Sequence, residues 1–222
     1  MNKFIAALAF ALSFQFLAAS AHALQAGVEY LEVSPPQLTE MKKGQVEVVE
    51  FFWYGCPHCF DLEPKFSAWA KTVPANVVVK RVPAILNDSW ELLARAHYAM
   101  EAVGVLDRLH NALFEAIHVN RMRFNTPTAF LDWAATKGVD RRKLAEAYDS
   151  FSVNSEVLRA KQMTKAYKLN GVPSIVVNGK YMTSASQTGS EAKLFPVINE
   201  LIAKEHAEPA IGAETKKTKH KK

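Results

Sequence analysis

Residues 45–60, QVEVVEFFWYGCPHCF, constrain the fold more than any other part of the chain. The first half is β-branched and aromatic, of strand length, and stopped by Gly55, the pattern of a strand buried on both faces. A helix is expected to begin at once. Pro57 suits a first helical turn, where its missing N–H costs nothing, which puts Cys56 at the cap. Phe60, Phe66, Trp69 and Ala70 continue as an approximate helical stripe, and Pro64 is expected to kink it. A second strand-length apolar run, NVVVKRVP, ends at Pro83. Strand, helix and strand in this order predict a parallel βαβ unit.

Residues 88–169 contain no strand-like run, and apolar residues recur there at helical spacing, as in Trp90, Leu93, His97, Met100 and Val103. Several helices are expected, broken at Gly104, at Asn125-Thr126-Pro127 with Thr126 as a cap, at Gly138 and near Ser152. Two short β runs then flank Asn178-Gly179, a strong hairpin signal. A last helix is expected over about residues 190–205, carrying Leu194, Val197, Ile198, Leu201 and Ile202 on one side. The fold class expected is therefore α/β, a thioredoxin-like order with an all-helical insertion. Residues 24–86 and 170–206 form the two halves of the thioredoxin-like domain in this reading, and residues 87–169 the insertion.

The ends of the chain set compartment and charge. Lys3 precedes an apolar run from Phe4 to about Ala19, and Ala21-His22-Ala23 carries small residues where a signal peptidase reads, so residues 1–23 are expected to be a cleaved signal peptide. The apolar run is short for a spanning helix. The formal charge of +5 is accounted for by Lys3 together with Lys216, Lys217, Lys219, Lys221 and Lys222. What lies between is near neutral, and a basic face for nucleic acid is not expected. Residues 207–222, rich in lysine and poor in apolar residues, are expected to be a disordered tail. The two cysteines lie three apart, so no disulfide framework staples this exported chain.

A lone C-x-x-C fits half of a zinc site, a structural disulfide or a redox pair. Zinc wants three or four ligands. No second cysteine pair exists, and His97, His110 and His118 lie in helical segments without ligand spacing to this one. The reading is therefore redox, with no metal and no cofactor, and those three histidines are taken as half-exposed helix surface. A thiolate is the species that attacks and leaves disulfides. Cys56 at a helix N-terminus meets unpaired N–H groups and the positive end of the helix dipole, and a cationic His58 adds to this. Cys59, one turn further in, is the shielded resolving sulfur. Stabilising the Cys56 thiolate stabilises the reduced protein, which makes its disulfide an oxidant. Glu50, in an otherwise apolar strand, is a carboxylate where burial is expensive. Lys80 in the neighbouring strand is its expected partner, and the acid is placed to take the proton of Cys59; the alternative is that Glu50 points to an edge or to solvent. Glu63 either joins this charge cluster or is an ordinary exposed helix residue. Val172-Pro173, just before a β run, starts an edge strand or holds a cis turn.

C-P-H-C after an apolar strand, a helical insertion, then G-V-P followed by S-I-V-V-N-G-K-Y resembles the DsbA family, periplasmic disulfide-forming oxidases of Gram-negative bacteria, over residues 28–205. The resemblance implies a thioredoxin fold with the inserted helical domain. It implies Pro173 in cis beside the Cys56–Cys59 disulfide, with Val172 and Pro173 pairing with substrate backbone. It also implies reduced or unfolded exported proteins as substrates, reoxidation by a quinone-linked membrane oxidase of the DsbB type, and a monomer. The family's buried acid falls on Glu50, and the lysine and glutamate near it on Lys80 and Glu63. The lysine-rich tail is not part of the family pattern. A reductase or isomerase of the same superfamily is the nearest rival, disfavoured by Pro-His rather than Gly-Pro between the cysteines and by the absence of room for an N-terminal dimerisation domain. A peptide-binding chaperone with an incidental cysteine pair is the rival from another class.

Overall fold

The structure, a computed structural model, describes residues 24–207. The expected signal peptide and the tail beyond residue 207 lie outside the described residues. Ala207 itself, assigned to the tail by sequence, is the last residue of the final helix.

In chain order the strands are β1 (Leu31–Glu32), β2 (Val46–Phe52), β3 (Val77–Pro83), β4 (Ser174–Val177) and β5 (Tyr181–Thr183). The helices are α1 (Pro57–Ala70), α2 (Glu91–Ala102), α3 (Leu106–His118), α4 (Pro127–Thr136), α5 (Arg141–Tyr148), α6 (Phe151–Ala166), α7 (Ala185–Thr188) and α8 (Glu191–Ala207). The sheet order is β1-β5-β4-β2-β3. β2 and β3 run parallel, as a strand–helix–strand unit requires, and the other pairings are antiparallel. Five helices, α2 to α6, intervene between β3 and β4, so the fold is thioredoxin-like with a helical insertion. β1, two residues long, carries too little pattern to be read from sequence.

β2 is central, and all seven of its residues are buried. Val46 and Val48 face α1 and α8, packing with Leu62, Phe66, Val197, Ile198 and Leu201. Val49 and Phe51 belong to the larger cluster that includes the insertion, with the Phe51 and Tyr167 rings 5.3 Å apart. Burying both faces is what makes the strand a nearly continuous apolar run. It also means that Glu47 and Glu50 are buried carboxylates on opposite faces.

Local chemistry sets the boundaries. Thr126, Asp140, Ser150 and Ser184 cap α4, α5, α6 and α7 by accepting backbone N–H groups on their side-chain oxygens, which satisfies donors a helix start otherwise leaves open. Pro64 lies within α1, which continues through it. Between β4 and β5, Asn178 and Gly179 both take positive φ (49° and 68°), and Lys180 N–H donates to Val177 O at 3.0 Å, the geometry of a two-residue hairpin turn.

Gly179 is required twice over, by its φ and by Gln37, whose N–H donates to Gly179 O at 2.9 Å. A Cβ at position 179 would lie 2.1 Å from Gln37 O. Gly179→Ala is expected to destabilise the protein by about 2 kcal/mol and lower its thermal midpoint by roughly 4–8 °C; a circular-dichroism melt with an unchanged midpoint would contradict this account of the turn.

Candidate active site

β2 ends at Phe52, and Trp53, Tyr54 and Gly55 turn the chain into α1. Cys56 is the N-cap, with extended backbone (φ −87°, ψ 117°) and Pro57 directly after it. Its N–H donates to Trp53 O at 2.9 Å, and its carbonyl accepts from Phe60 N–H at 3.1 Å. The Trp53 indole folds over Gly55, where a Cβ would lie 2.4 Å from a ring carbon. It stacks on Trp90 with centroids 4.3 Å apart and planes 2° from parallel. Glycine is needed at 55 because an aromatic ring occupies the space, not because of its φ.

Both cysteines are thiols here and both are buried. The Cys56 thiol is lowered from the ordinary range to about 6, first by a hydrogen bond from the Cys59 side chain, against the opposing effect of burial, and then by the backbone N–H groups of Cys59 and His58 and the charge of His58. These N–H groups are the open donors of the α1 N-terminus. Cys59 is wholly enclosed and its thiol is pushed far up, by burial first and by the adjacent Cys56 sulfur next. Two sulfurs one helical turn apart therefore have opposite protonation preferences.

Pro57 and His58 are exposed at the rim. The Val172–Pro173 peptide is cis, and the Cys56 thiol donates to Val172 O at 3.4 Å. A cleft of about 380 Å³ opens beside this contact, lined among others by His58, Leu62, Gly171, Val172, Pro173 and Ser184.

Beneath Cys59, Glu50 is 1 % exposed. Lys80, the partner expected from sequence, does not face it: its Nζ lies 2.6 Å from Glu47 Oε2 on the opposite face of the sheet. The register aligns Lys80 with Val49 and Arg81 with Glu50, so strand alternation gives Glu50 the guanidinium instead. Arg81 Nε lies 3.3 Å from Glu50 Oε2, but its hydrogens serve Glu63 and, from Nη2 at 2.8 Å, Ser67 Oγ. Nε donates to Glu63 Oε2 at 3.1 Å and Nη2 to Glu63 Oε1 at 2.9 Å. Glu50 Oε2 is left without a hydrogen bond among the described residues. Burial first, and then the Glu63 charge, raise the Glu50 carboxyl to about 8 against the opposing pull of Arg81. Glu63 is buried too, and burial alone would raise it. The contact with and charge of His110, then Arg81 and the Ser67 hydroxyl, outweigh that and hold it below the ordinary carboxylate range.

The expectation of half-exposed histidines fails at two positions. His97 is 2 % and His110 6 % exposed. Their places were visible in the pattern: His97 falls on the stripe of Leu93 and Met100, and His110 on that of Leu109, Leu113 and Phe114. A histidine on an apolar helical stripe is a core residue that needs polar partners. Both find one in Tyr54, whose hydroxyl lies 3.2 Å from His97 Nδ1 and 2.8 Å from His110 Nδ1. His118 is half-buried.

Because the hydrogen bond from Cys59 is the largest cause lowering Cys56, Cys59→Ala is expected to move the Cys56 thiolate titration upward from about 6, read by ultraviolet thiolate absorbance. A folded-state value below the unfolded one contributes stability above the unfolded value and loses it as pH falls through the folded one. Ionisation of Cys56 should thus make the reduced protein roughly 1.4 kcal/mol more stable at pH 7 than it is well below pH 6, a rise that the oxidised protein, which has no Cys56 thiol to ionise, should lack. Equal pH slopes for the two forms would contradict it.

Residues 76–192 match the family described as the DSBA-like thioredoxin domain. The thiol:disulfide interchange protein DsbA of Pseudomonas aeruginosa is 39% identical over 191 residues, covering 86% of this chain and 90% of that protein. The protein of the same name from Burkholderia cepacia is 40% identical over 184 residues, covering 83% and 87%. The crystal structure of Pseudomonas aeruginosa DsbA superposes with a TM-score of 0.79 at 39% identity over 83% of this chain and 95% of that one. That of the oxidoreductase DsbA from Xylella fastidiosa gives 0.78 at 29% identity over 84% and 100%. With its cysteine pair at the head of α1, the chain belongs to the DsbA family of thioredoxin-fold thiol:disulfide oxidoreductases.

Proposed function

We propose that the chain is a thiol:disulfide oxidase that donates the Cys56–Cys59 disulfide to newly exported proteins in the periplasm and is then reoxidised by a quinone-linked membrane partner of the DsbB type, acting as a monomer. The observation that carries this reading is the asymmetry of the pair. Cys56 has a thiol lowered to about 6, so about nine-tenths of it is thiolate at pH 7, while Cys59 is enclosed and held as the thiol. Stabilising one thiolate stabilises the reduced protein, so its disulfide passes readily to a substrate dithiol. Relatives of this chain carry the name thiol:disulfide interchange protein DsbA, which supports the same reaction.

The cycle begins when a substrate thiolate attacks Cys56 Sγ. The Cys56–Cys59 bond breaks, a substrate–Cys56 disulfide forms, and Cys59 leaves with the bonding electrons. Glu50, raised to about 8 and hence mostly protonated at neutral pH, supplies the proton that keeps the buried Cys59 neutral. A second substrate thiolate then attacks the substrate sulfur of the mixed disulfide. Cys56 departs as the thiolate that the α1 N-terminus stabilises, and the substrate carries the new disulfide. Reoxidation reverses the proton step: Glu50 accepts the Cys59 proton as Cys59 attacks a mixed disulfide on Cys56. Val172 and Pro173, beside the Cys56 sulfur and lining a cleft, are suited to hold an extended substrate segment by its backbone. Lys80 takes no part in this scheme, since its charge is spent on Glu47.

Equilibrating the full chain with reduced and oxidised glutathione, trapping thiols by alkylation and counting them by mass tests the direction of electron flow. The expected result is a pair that stays reduced except in strongly oxidising buffers. A pair that stays oxidised in reducing buffers would instead make the protein a reductase fed by an electron donor.

A further inference from the structure

Tyr54, two residues before Cys56, is completely buried and is held from the helical insertion by three histidines. Its hydroxyl meets His97 Nδ1 on α2 and His110 Nδ1 on α3 at 3.2 and 2.8 Å. Its carbonyl lies 2.8 Å from His118 Nε2, also on α3. The far side of the His110 ring reaches the carboxylates: Nε2 approaches Glu63 Oε2 at 3.3 Å, without a well-aligned hydrogen bond. His110 thus stands between the turn that carries Cys56 and the charge cluster beneath Cys59.

A single hydroxyl proton permits two arrangements. Tyr54 has one O–H to give and two Nδ1 atoms to meet, so it donates to one and accepts from the other. With His110 neutral, the shorter contact takes the Tyr54 proton on His110 Nδ1. The His110 hydrogen then sits on Nε2, facing Glu63, and His97 Nδ1–H donates to the Tyr54 oxygen. With His110 protonated, its Nδ1–H donates to Tyr54, and Tyr54 turns its proton to His97. His97 itself stays neutral, since burial and then the charges of His110 and Arg81 hold it well below its ordinary value. In both arrangements His110 presents an N–H to Glu63.

We propose that His110 is a positioning residue for the redox reaction: by bridging Tyr54 and Glu63 it limits how much of the Glu63 negative charge acts on Glu50, and so helps fix the pH at which Glu50 exchanges its proton with Cys59. This rests on the reading of Glu50 as the proton donor and acceptor. The groups that face this exchange are Glu50 from β2, Cys59 and Glu63 from α1, Arg81 from β3, His97 from α2 and His110 from α3. Lys71, Glu101 and Asp107 stand further along a cleft of about 980 Å³ that Glu63, Arg81, His97 and His110 also line. Arg81 is one cation between two carboxylates, and among the described residues two of its three hydrogen bonds go to Glu63 and the third to Ser67 Oγ, none to Glu50. The His110 N–H is the remaining positive contribution on Glu63 Oε2. Without it Glu63, still ionised by Arg81, repels a second buried negative charge more strongly, and Glu50 becomes harder to ionise.

The test is the oxidation of the reduced full chain by glutathione disulfide, followed by stopped flow across pH. In its second step Cys59 attacks the Cys56–glutathione disulfide. The Cys59 proton passes to ionised Glu50, a Cys56–Cys59 bond forms, and glutathione leaves as the thiolate. The rate of this step is expected to rise with a midpoint near the Glu50 value of about 8, and the rise should vanish in Glu50→Gln. His110→Asn keeps a polar atom where Nδ1 meets Tyr54 and removes the reach to Glu63. It should move the midpoint upward by half a pH unit or more, about a threefold change in the ionisation ratio. His110→Gln, which restores an amide N–H near the Nε2 position, should leave the midpoint close to wild type. A midpoint that depends on Glu50 but is the same in His110→Asn overturns the role of His110 alone. A rise that survives Glu50→Gln overturns the Glu50 reading beneath it. Should His110→Asn fail to fold, Tyr54→Phe, which releases the other side of the His110 ring, decides: an upward midpoint supports the coupling and an unmoved one overturns it.

Discussion

One guanidinium shared between two buried carboxylates governs the chemistry beneath the active-site helix. Removing a carboxylate from water without a partner costs several kcal/mol, and Arg81 is the cation close to both Glu50 and Glu63. Its donors are aligned on Glu63, which is left ionised. Glu50, at similar depth and with a 3.3 Å contact that forms no hydrogen bond, is left protonated near neutrality. Two acids pushed apart by unequal shares of one cation are a recurrent way to obtain a proton donor at neutral pH. The division depends on strand register, because shifting β3 by one residue would turn Arg81 to the other face and set Lys80 against Glu50.

The cysteines are split by the same kind of unequal environment. α1 begins immediately after the turn, so Cys56, though buried, receives open N–H groups and the helix dipole. Three residues further on, Cys59 points into the core formed by β2 and the insertion and receives mainly the cost of burial. The first sulfur is stable as an anion and the second is not. A proton must therefore move each time Cys59 enters or leaves a disulfide, and in the proposed cycle the protonated Glu50 beneath it is the group that exchanges it.

Much of this was legible in the chain. The β2 run, Pro57 after Cys56, the Asn178-Gly179 turn and the stripe of α8 each rest on local physics that tertiary contacts did not override. Glu50 stood out because a carboxylate in a doubly buried strand has no inexpensive explanation. Its partner was harder: Lys80 and Arg81 are adjacent in an apolar strand, and parity alone cannot choose between them until the register with β2 is known. His97 and His110 depart from expectation for a different reason. Both sit on apolar stripes, yet the tyrosine that satisfies them lies 43 and 56 residues away in the chain. Non-local satisfaction of a buried polar group leaves no trace in periodicity.

The insertion is consequently more than a cover over one face of the sheet. Phe52 packs on Tyr54, His110, His97 and Phe114 at centroid distances of 5.0, 5.2, 5.4 and 5.9 Å, so the last strand residue, the turn and two insertion helices share one aromatic core. A cluster packed this closely transmits displacement rather than absorbing it. Any movement of α2 and α3 relative to the sheet must therefore disturb Tyr54, and Tyr54 is two bonded residues from the reactive sulfur. Anchoring by side chain to α2 and α3 and by carbonyl to α3 keeps the turn rigid while the exposed rim of Pro57, His58, Val172 and Pro173 remains open to a substrate chain. Rigidity on the insertion side and openness on the other suit the proposed exchange, since the Cys56 sulfur must be presented in one geometry to an incoming thiolate.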